Sequence, residues 1–153
     1  MKQYEPKKYE LTDMIIKDRD SSGRIVTVHR IRSLRNFKIT KWGHHKPIVT
    51  EIRIGDYGGW VEKEDNLSHS GKAWVDETAI VFGNAKVSGD AWVGGYSLVF
   101  DHAKIKGNAK VRDSKICGHA EVRDNAIVDK AGQKIKGSAL IYGSMHISTS
   151  YLE

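Results

Sequence analysis

From Gly71 onward the chain repeats every six residues, and this repeat constrains the fold more than any other feature of the 153-residue sequence. The hexads run GKAWVD, ETAIVF, GNAKVS, GDAWVG, GYSLVF, DHAKIK and GNAKVR, followed by DSKIC with five residues. They continue GHAEVR, DNAIVD, KAGQKIK with seven, GSALIY and GSMHIS. Slot three is mostly Ala, slot five is Val or Ile away from the two length defects, and slots one and two are mostly turn residues. In a short strand, slots three and five point to one side and slots four and six to the other. A small residue beside each corner and a β-branched residue at mid-edge fill a narrow interior. Three strands and three corners return the chain to its start after 18 residues. Successive coils then stack as parallel strands about 4.8 Å apart. Hairpins in a sandwich would have strands of only four residues and no reason to keep the small/β-branched order. The sequence therefore predicts an all-β fold, a triangular parallel β-helix of about 4–5 coils over residues 65–153, with a small N-terminal β cap over 1–64.

The N-terminal region has strand signals of its own. "PIVTEIRIG" alternates Ile48, Thr50, Ile52 and Ile54 against Val49, Glu51 and Arg53. "GRIVTVHRIRSL" is strand-like, with a phase break between Val28 and Ile31 that suggests a bulge, and "DRDSSG" before it reads as a turn. An uncapped solenoid end exposes unpaired strands, so this region is expected to close one. The degenerate hexad DNLSHS, 65–70, places Leu67 and His69 in inward slots, and His69 reads as a hydrogen-bonded cap residue.

Four motifs carry a family resemblance: Tyr9-Glu10-Leu11-Thr12, Arg30 to Phe37 (RIRSLRNF), Gly58-Gly59-Trp60-Val61-Glu62, and Asn66-Leu67-Ser68-His69, followed by G-N-A-x-V hexads. With them the chain resembles the YdcK-like hexapeptide-repeat proteins of bacteria and phages. The resemblance implies a left-handed β-helix, since alternation alone does not set the hand. It favours trimers, whereas a two-fold dimer is the general default. It assigns no settled reaction, because fold does not carry function. The stretch 38–54 departs from the family in being longer than its usual connection.

Stacking the hexads sorts the outward residues into three faces. The first carries Trp74 and Trp92, then Lys110, Ile127 and His146. The second carries Ile80, Phe82, Leu98 and Phe100, then Lys115 and Cys117. The third carries Lys86, Lys104, Lys106 and Arg123 with Glu121 among them. Large apolar residues in outward slots exceed what a monomer leaves wet. Ile80, Phe82, Leu98 and Phe100, with Trp74 and Trp92, are therefore expected to form a homo-oligomer interface. The competing arrangement has the N-terminal region folding back over the second face. His102 and His119 occupy slot two of successive coils and should stack at one corner. Such a row is a polar ladder or, less simply, a general base for acyl transfer.

All of the net charge of +6 lies in residues 1–60, which hold 13 Lys/Arg and 7 Asp/Glu; residues 61–153 are neutral with 12 of each. Arg30, Arg32, Arg35, Lys38, Lys41 and Lys46 lie close in sequence, and Trp42, His44 and His45 interleave with them in "KITKWGHHKP". That polar stretch reads as an exposed loop. Cations around an aromatic suit an acidic protein surface, a nucleotide or a nucleic acid. The plainer reading is local pairing with nearby carboxylates. No run of 18 apolar residues is present, the N-terminus lacks an apolar signal core, and a single cysteine, Cys117, rules out an intramolecular disulfide. A cytoplasmic chain without membrane contact is expected. There is no Gly-rich phosphate loop, no meaningful Ser/His/Asp spacing and no carboxylate cluster, so neither metal nor cofactor is expected. The reading that follows is a non-enzymatic, oligomeric, phage-derived binding protein that sequesters or inhibits a host defence factor through a basic N-terminal surface. The alternatives are a hexapeptide-type acyltransferase using acyl-coenzyme A, with His102 or His119 as base, and a structural β-helix that assembles end to end.

Overall fold

A computed structural model describes residues 6–148. The repeats wind into a triangular parallel β-solenoid, and the five strands of its first face mark five turns. Trp74, Trp92, Lys110, Ile127 and His146 align in one register along that face. Ile80, Leu98, Lys115 and Lys134 align along the second, and Lys86, Lys104, Glu121 and Leu140 along the third. The two length defects compensate. Leu98 and Lys115 pair seventeen residues apart and Lys115 and Lys134 nineteen apart, so the second insertion restores the phase lost at the first. At the shortened corner Ser97 and Ser114 replace Ala in the inward slot. Both are buried, and their hydroxyls donate to the carbonyls of Gly94 and Arg112.

Slot one turns the corners through the left-handed region, except in the seven-residue repeat, where Gly132 does so at φ 79°. Gly71 sits at φ 69° and a Cβ there would lie 2.4 Å from the carbonyl oxygen of Gly89 in the next coil, so both conformation and stacking demand glycine. Where slot one is acidic, the carboxylate is put to use: Asp101 accepts from the Gly118 N–H at 2.9 Å and Asp113 from the Tyr96 N–H at 2.9 Å. Inside the prism Val75, Val93, Val111, Val128, Ala73, Ala91, Ala109 and Ala126 are all fully buried.

The N-terminal region is two β-hairpins and a joining strand. β1 (Tyr9–Arg19) pairs antiparallel with β2 (Ile25–Ser33), and β3 (Phe37–Gly43) pairs antiparallel with β4 (Lys46–Ile52). β5 (Tyr57–Val61) pairs antiparallel with β2 on one side and parallel with Ile80–Val81 on the other, so the first hairpin extends the second face into a seven-stranded sheet. The phase break in β2 is real, since burial moves from Val26 and Val28 to Ile31. The irregularities that accommodate it lie in the partners, opposite Arg30 in β1 and at Gly58–Gly59 in β5. The region is more than an end cap: Tyr9, Ile31, Ile39, Trp42 and Ile52 share one continuous core with the solenoid.

The expected exposed patch does not exist, because the hairpins cover it. The first hairpin folds back over the second face. Val26 and Val28 pack on Phe82, Phe100 and Cys117, the two phenyl rings stack at 5.1 Å, and Ile80 and Leu98 flank them half-buried. Ser21 at its turn donates to Asp101 at 2.7 Å. The second hairpin runs along the first face. Phe37 meets Trp74 edge-on at 5.4 Å, Trp42 meets His146 at 5.1 Å, and Ile39 and Ile52 close over the space between. Trp74 and Trp92 are 0% and 1% exposed. Trp92 lies over Gly94, where a Cβ would collide with its ring, and its indole N–H donates to Asp76. Burying each such aromatic contributes about 2–3 kcal/mol. The stretch "KITKWGHHKP" is thus no loop. It is most of the second hairpin, with Trp42 buried and His44 and His45 at the turn with φ of 51° and 63°. This two-residue turn matches the right-handed twist of the strands it joins.

Candidate anion-binding groove

The basic residues grouped by sequence do not form one surface. Arg30 donates to the Gly58 carbonyl at 3.1 Å and stacks over Tyr57 at 4.8 Å. Arg32 is paired with Glu10, and Arg35 donates to the His69 carbonyl at 2.6 Å. These three arginines belong to the junction between hairpin and solenoid. Lys38, Lys41, Trp42, His44, His45 and Lys46 ride on the second hairpin, where Trp42 is turned inward to donate to Asp129 at 2.9 Å. β2 extends the sheet of the second face while β3 lies against the first, and sequence proximity could not show that.

The junction explains the four motifs quoted above, since all of them meet there. Tyr9 donates to the carbonyls of Glu64 and Leu67 and stacks on His69 at 4.2 Å. His69 accepts from the Lys8 N–H at Nδ1 (3.1 Å) and meets Glu64 through Nε2 (3.0 Å), as its reading as a cap residue requires. Asn66 is wholly buried and fully used: its oxygen accepts from the N–H groups of Glu62 and Lys63, and its amide donates to the carbonyls of Gly83 and Ala85. Lys8, also buried, donates to the carbonyls of Ala73 and Gly71 at the open edge of the first coil. Burial, with the Arg35 charge added to it, lowers the Lys8 pKa to about 7. Tyr9 is held protonated well above its usual range, chiefly by burial.

His102 and His119 stack at 4.7 Å with ring planes 4° apart, in the corner row expected of them. Both are exposed, and among the described residues no hydrogen bond orients either ring. His102 also borders a shallow depression of about 220 Å³ beside Asp20, Arg24 and Asn84, at the turn of the first hairpin.

A larger groove of about 450 Å³ lies between the second hairpin and the solenoid. The hairpin contributes Lys38, Thr40 and Val49, and the solenoid contributes Lys72, Asp90, Asn108 and Asn125 with Lys110. The last four corner residues are slot two of successive coils. They form a column like the histidine row, but one roofed by the hairpin. Asp90 accepts from the Lys72 backbone N–H at 3.0 Å, and the Lys110 ammonium donates to the Asn108 carbonyl at 3.0 Å. Desolvation lowers the Lys110 pKa. Lys38 and Lys72 form no ion pair among the described residues. Three lysines, two asparagines and a threonine therefore border one groove together with a single acidic residue. Sequence reasoning placed Lys38 in the site and missed Lys72, Lys110, Asn108 and Asn125. Reading the first corner's column as the histidine column was read would have found Lys72 and both asparagines.

No group of three or more His, Cys, Asp or Glu side chains suited to a metal occurs among the described residues. Among the described residues no helix is long and apolar enough to cross a membrane. The chain matches no protein-family model and no curated protein.

Proposed function

We propose that this protein is a non-enzymatic binding protein that holds a small phosphorylated ligand in the groove between the second hairpin and the solenoid. The observation that carries the reading is the convergence of Lys38, Lys72 and Lys110 from three separate places in the chain on one concave, amide-lined site. Its volume falls within the range of small-molecule sites, roughly 300–1,000 Å³. Ammonium groups act on phosphate as point charges, and carboxamides and a threonine hydroxyl add directional bonds to the ligand's oxygens. Sequestration of an anionic signal or metabolite is the form of activity that this site supports. Of the basic residues anticipated in the N-terminal region, Lys38 borders this groove and the arginines lie outside it. The histidine pair supports acyl transfer poorly, because nothing orients the imidazoles and their corner is convex.

The test is calorimetric titration with nucleoside phosphates, cyclic dinucleotides, sugar phosphates and a short single-stranded RNA at two salt concentrations. Binding of one of the small phosphates, weakened at least tenfold by Lys72→Glu with Lys110→Glu and weakened by salt, is expected. Affinity indifferent to both changes, or preference for the RNA over every small phosphate, overturns the reading.

A further inference from the structure

β1 is the terminal strand of the seven-stranded sheet, and its outer edge has no partner strand among the described residues. It spans 11 residues, longer than any other strand, and contains no proline. Three consecutive apolar residues at its centre stand in water: Met14, Ile15 and Ile16 are 43%, 49% and 38% exposed. Native edges of this kind are usually blunted by charge, proline or a covering segment. Here the two charges nearest the apolar run are Asp13 on one side and Lys17 on the other. Both are exposed, and neither takes part in an ion pair among the described residues.

From this arrangement we infer that β1 is a self-complementary interface through which two copies of the chain pair edge to edge, antiparallel about a two-fold axis at Ile15. In that register Ile15 lies against the partner's Ile15, and Met14 lies against the partner's Ile16. Asp13 lies against the partner's Lys17, and the symmetry makes this charge pair twice. Ile15 and Lys17 face away from the solenoid, since their β2 partners His29 and Thr27 alternate with the buried Val28 and Val26. Register is set by complementarity, and a slip of one residue destroys it. One way, Asp13 would oppose the partner's Asp18; the other way, Asp13 would oppose Ile16 and leave Lys17 against Thr12. The irregularity in β1 comprises Thr12, Asp13 and Met14, which together face Arg30 of β2, and it is pinned by Thr12, whose hydroxyl donates to the Arg30 carbonyl at 2.7 Å and accepts the Met14 N–H at 3.3 Å. It therefore leaves Ile15 to Arg19 in regular pairing with β2. Pairing would join two seven-stranded sheets into one and cover the apolar run. The ligand groove lies on the other hairpin, so this interface does not depend on it.

The experiment is sedimentation velocity on the full chain over a wide concentration range, with circular dichroism as the folding check. A reversible species of twice the chain mass is expected. Asp13→Lys and Lys17→Asp each replace two attractive pairs by two repulsive ones, so each should raise the dimer dissociation constant about tenfold. The double swap Asp13→Lys with Lys17→Asp should restore it. Ile15→Lys, which sets two ammonium groups at the axis, should leave a folded monomer. The inference is overturned by a monomer at every concentration, by a stable mass other than twice the chain, by a dimer indifferent to both single reversals, or by a double swap that fails to recover pairing.

Discussion

Two faces of the solenoid are covered by the chain's own hairpins and the third is bare, and the outward slots tell the three apart. The first face carries Trp74 and Trp92, and the second carries Phe82 and Phe100; all four are buried under a hairpin. The third carries Lys86 directly opposite Lys104, then Glu121 bridged by Lys106 at 3.6 Å and Arg123 at 3.4 Å. A lysine pair in register is mildly unfavourable, and contact with water screens it. The same backbone repeat thus builds core on two sides and surface on the third. The difference lies wholly in slots four and six, which the solenoid itself leaves free to vary.

Substitutions on the covered faces should have the largest effect. Trp92→Ala removes an indole held between solenoid and second hairpin and should cost about 3–5 kcal/mol in urea unfolding. A loss under 1 kcal/mol would mean that the hairpin does not lie on this face in solution. Phe82→Ala should cost a similar amount and should also expose the turn at residues 20–23 to limited proteolysis, because Val26 and Val28 would lose the ring they pack on. The junction comes next. Asn66→Ala leaves the Lys63 N–H and the carbonyls of Gly83 and Ala85 without their side-chain partner and should cost about 2–3 kcal/mol, against less than 1 kcal/mol for Asn84→Ala on the exposed corner.

Lys8 gives the junction a pH signature. Its value in the folded protein, about 7, lies below the ordinary 10.5, so between these limits the unfolded chain holds a proton that the folded chain has released. Stability should therefore rise with pH from about 7 toward 10, and the rise should vanish in Lys8→Met. A denaturation series in that window that is flat in the parent would show Lys8 to be hydrated. The smallest effect belongs to the bare face: Lys104→Ala should change stability by no more than about 0.5 kcal/mol and, by removing a like-charge neighbour of Lys86, should not be destabilising.

The six-residue repeat alone encodes the solenoid. Slot three, slot five and the left-handed corner at slot one are enforced locally, coil on coil, and any six residues report them, so the coil registers and the compensating length defects could be read directly. It also identified which outward residues needed cover. What covers them follows from how the hairpins pack back on the coils. Trp74 and Trp92 look the same in sequence whether a second copy or a distant hairpin lies on them, because burial is a property of the neighbour as much as of the residue. The groove has the same origin. Lys38 is separated from Lys72 by 34 positions and Lys72 from Lys110 by 38. A helical winding brings the last two to one corner, and the path of the second hairpin brings the first to them. No local pattern encodes that path; it follows from where the apolar side of β3 and β4 finds matching surface.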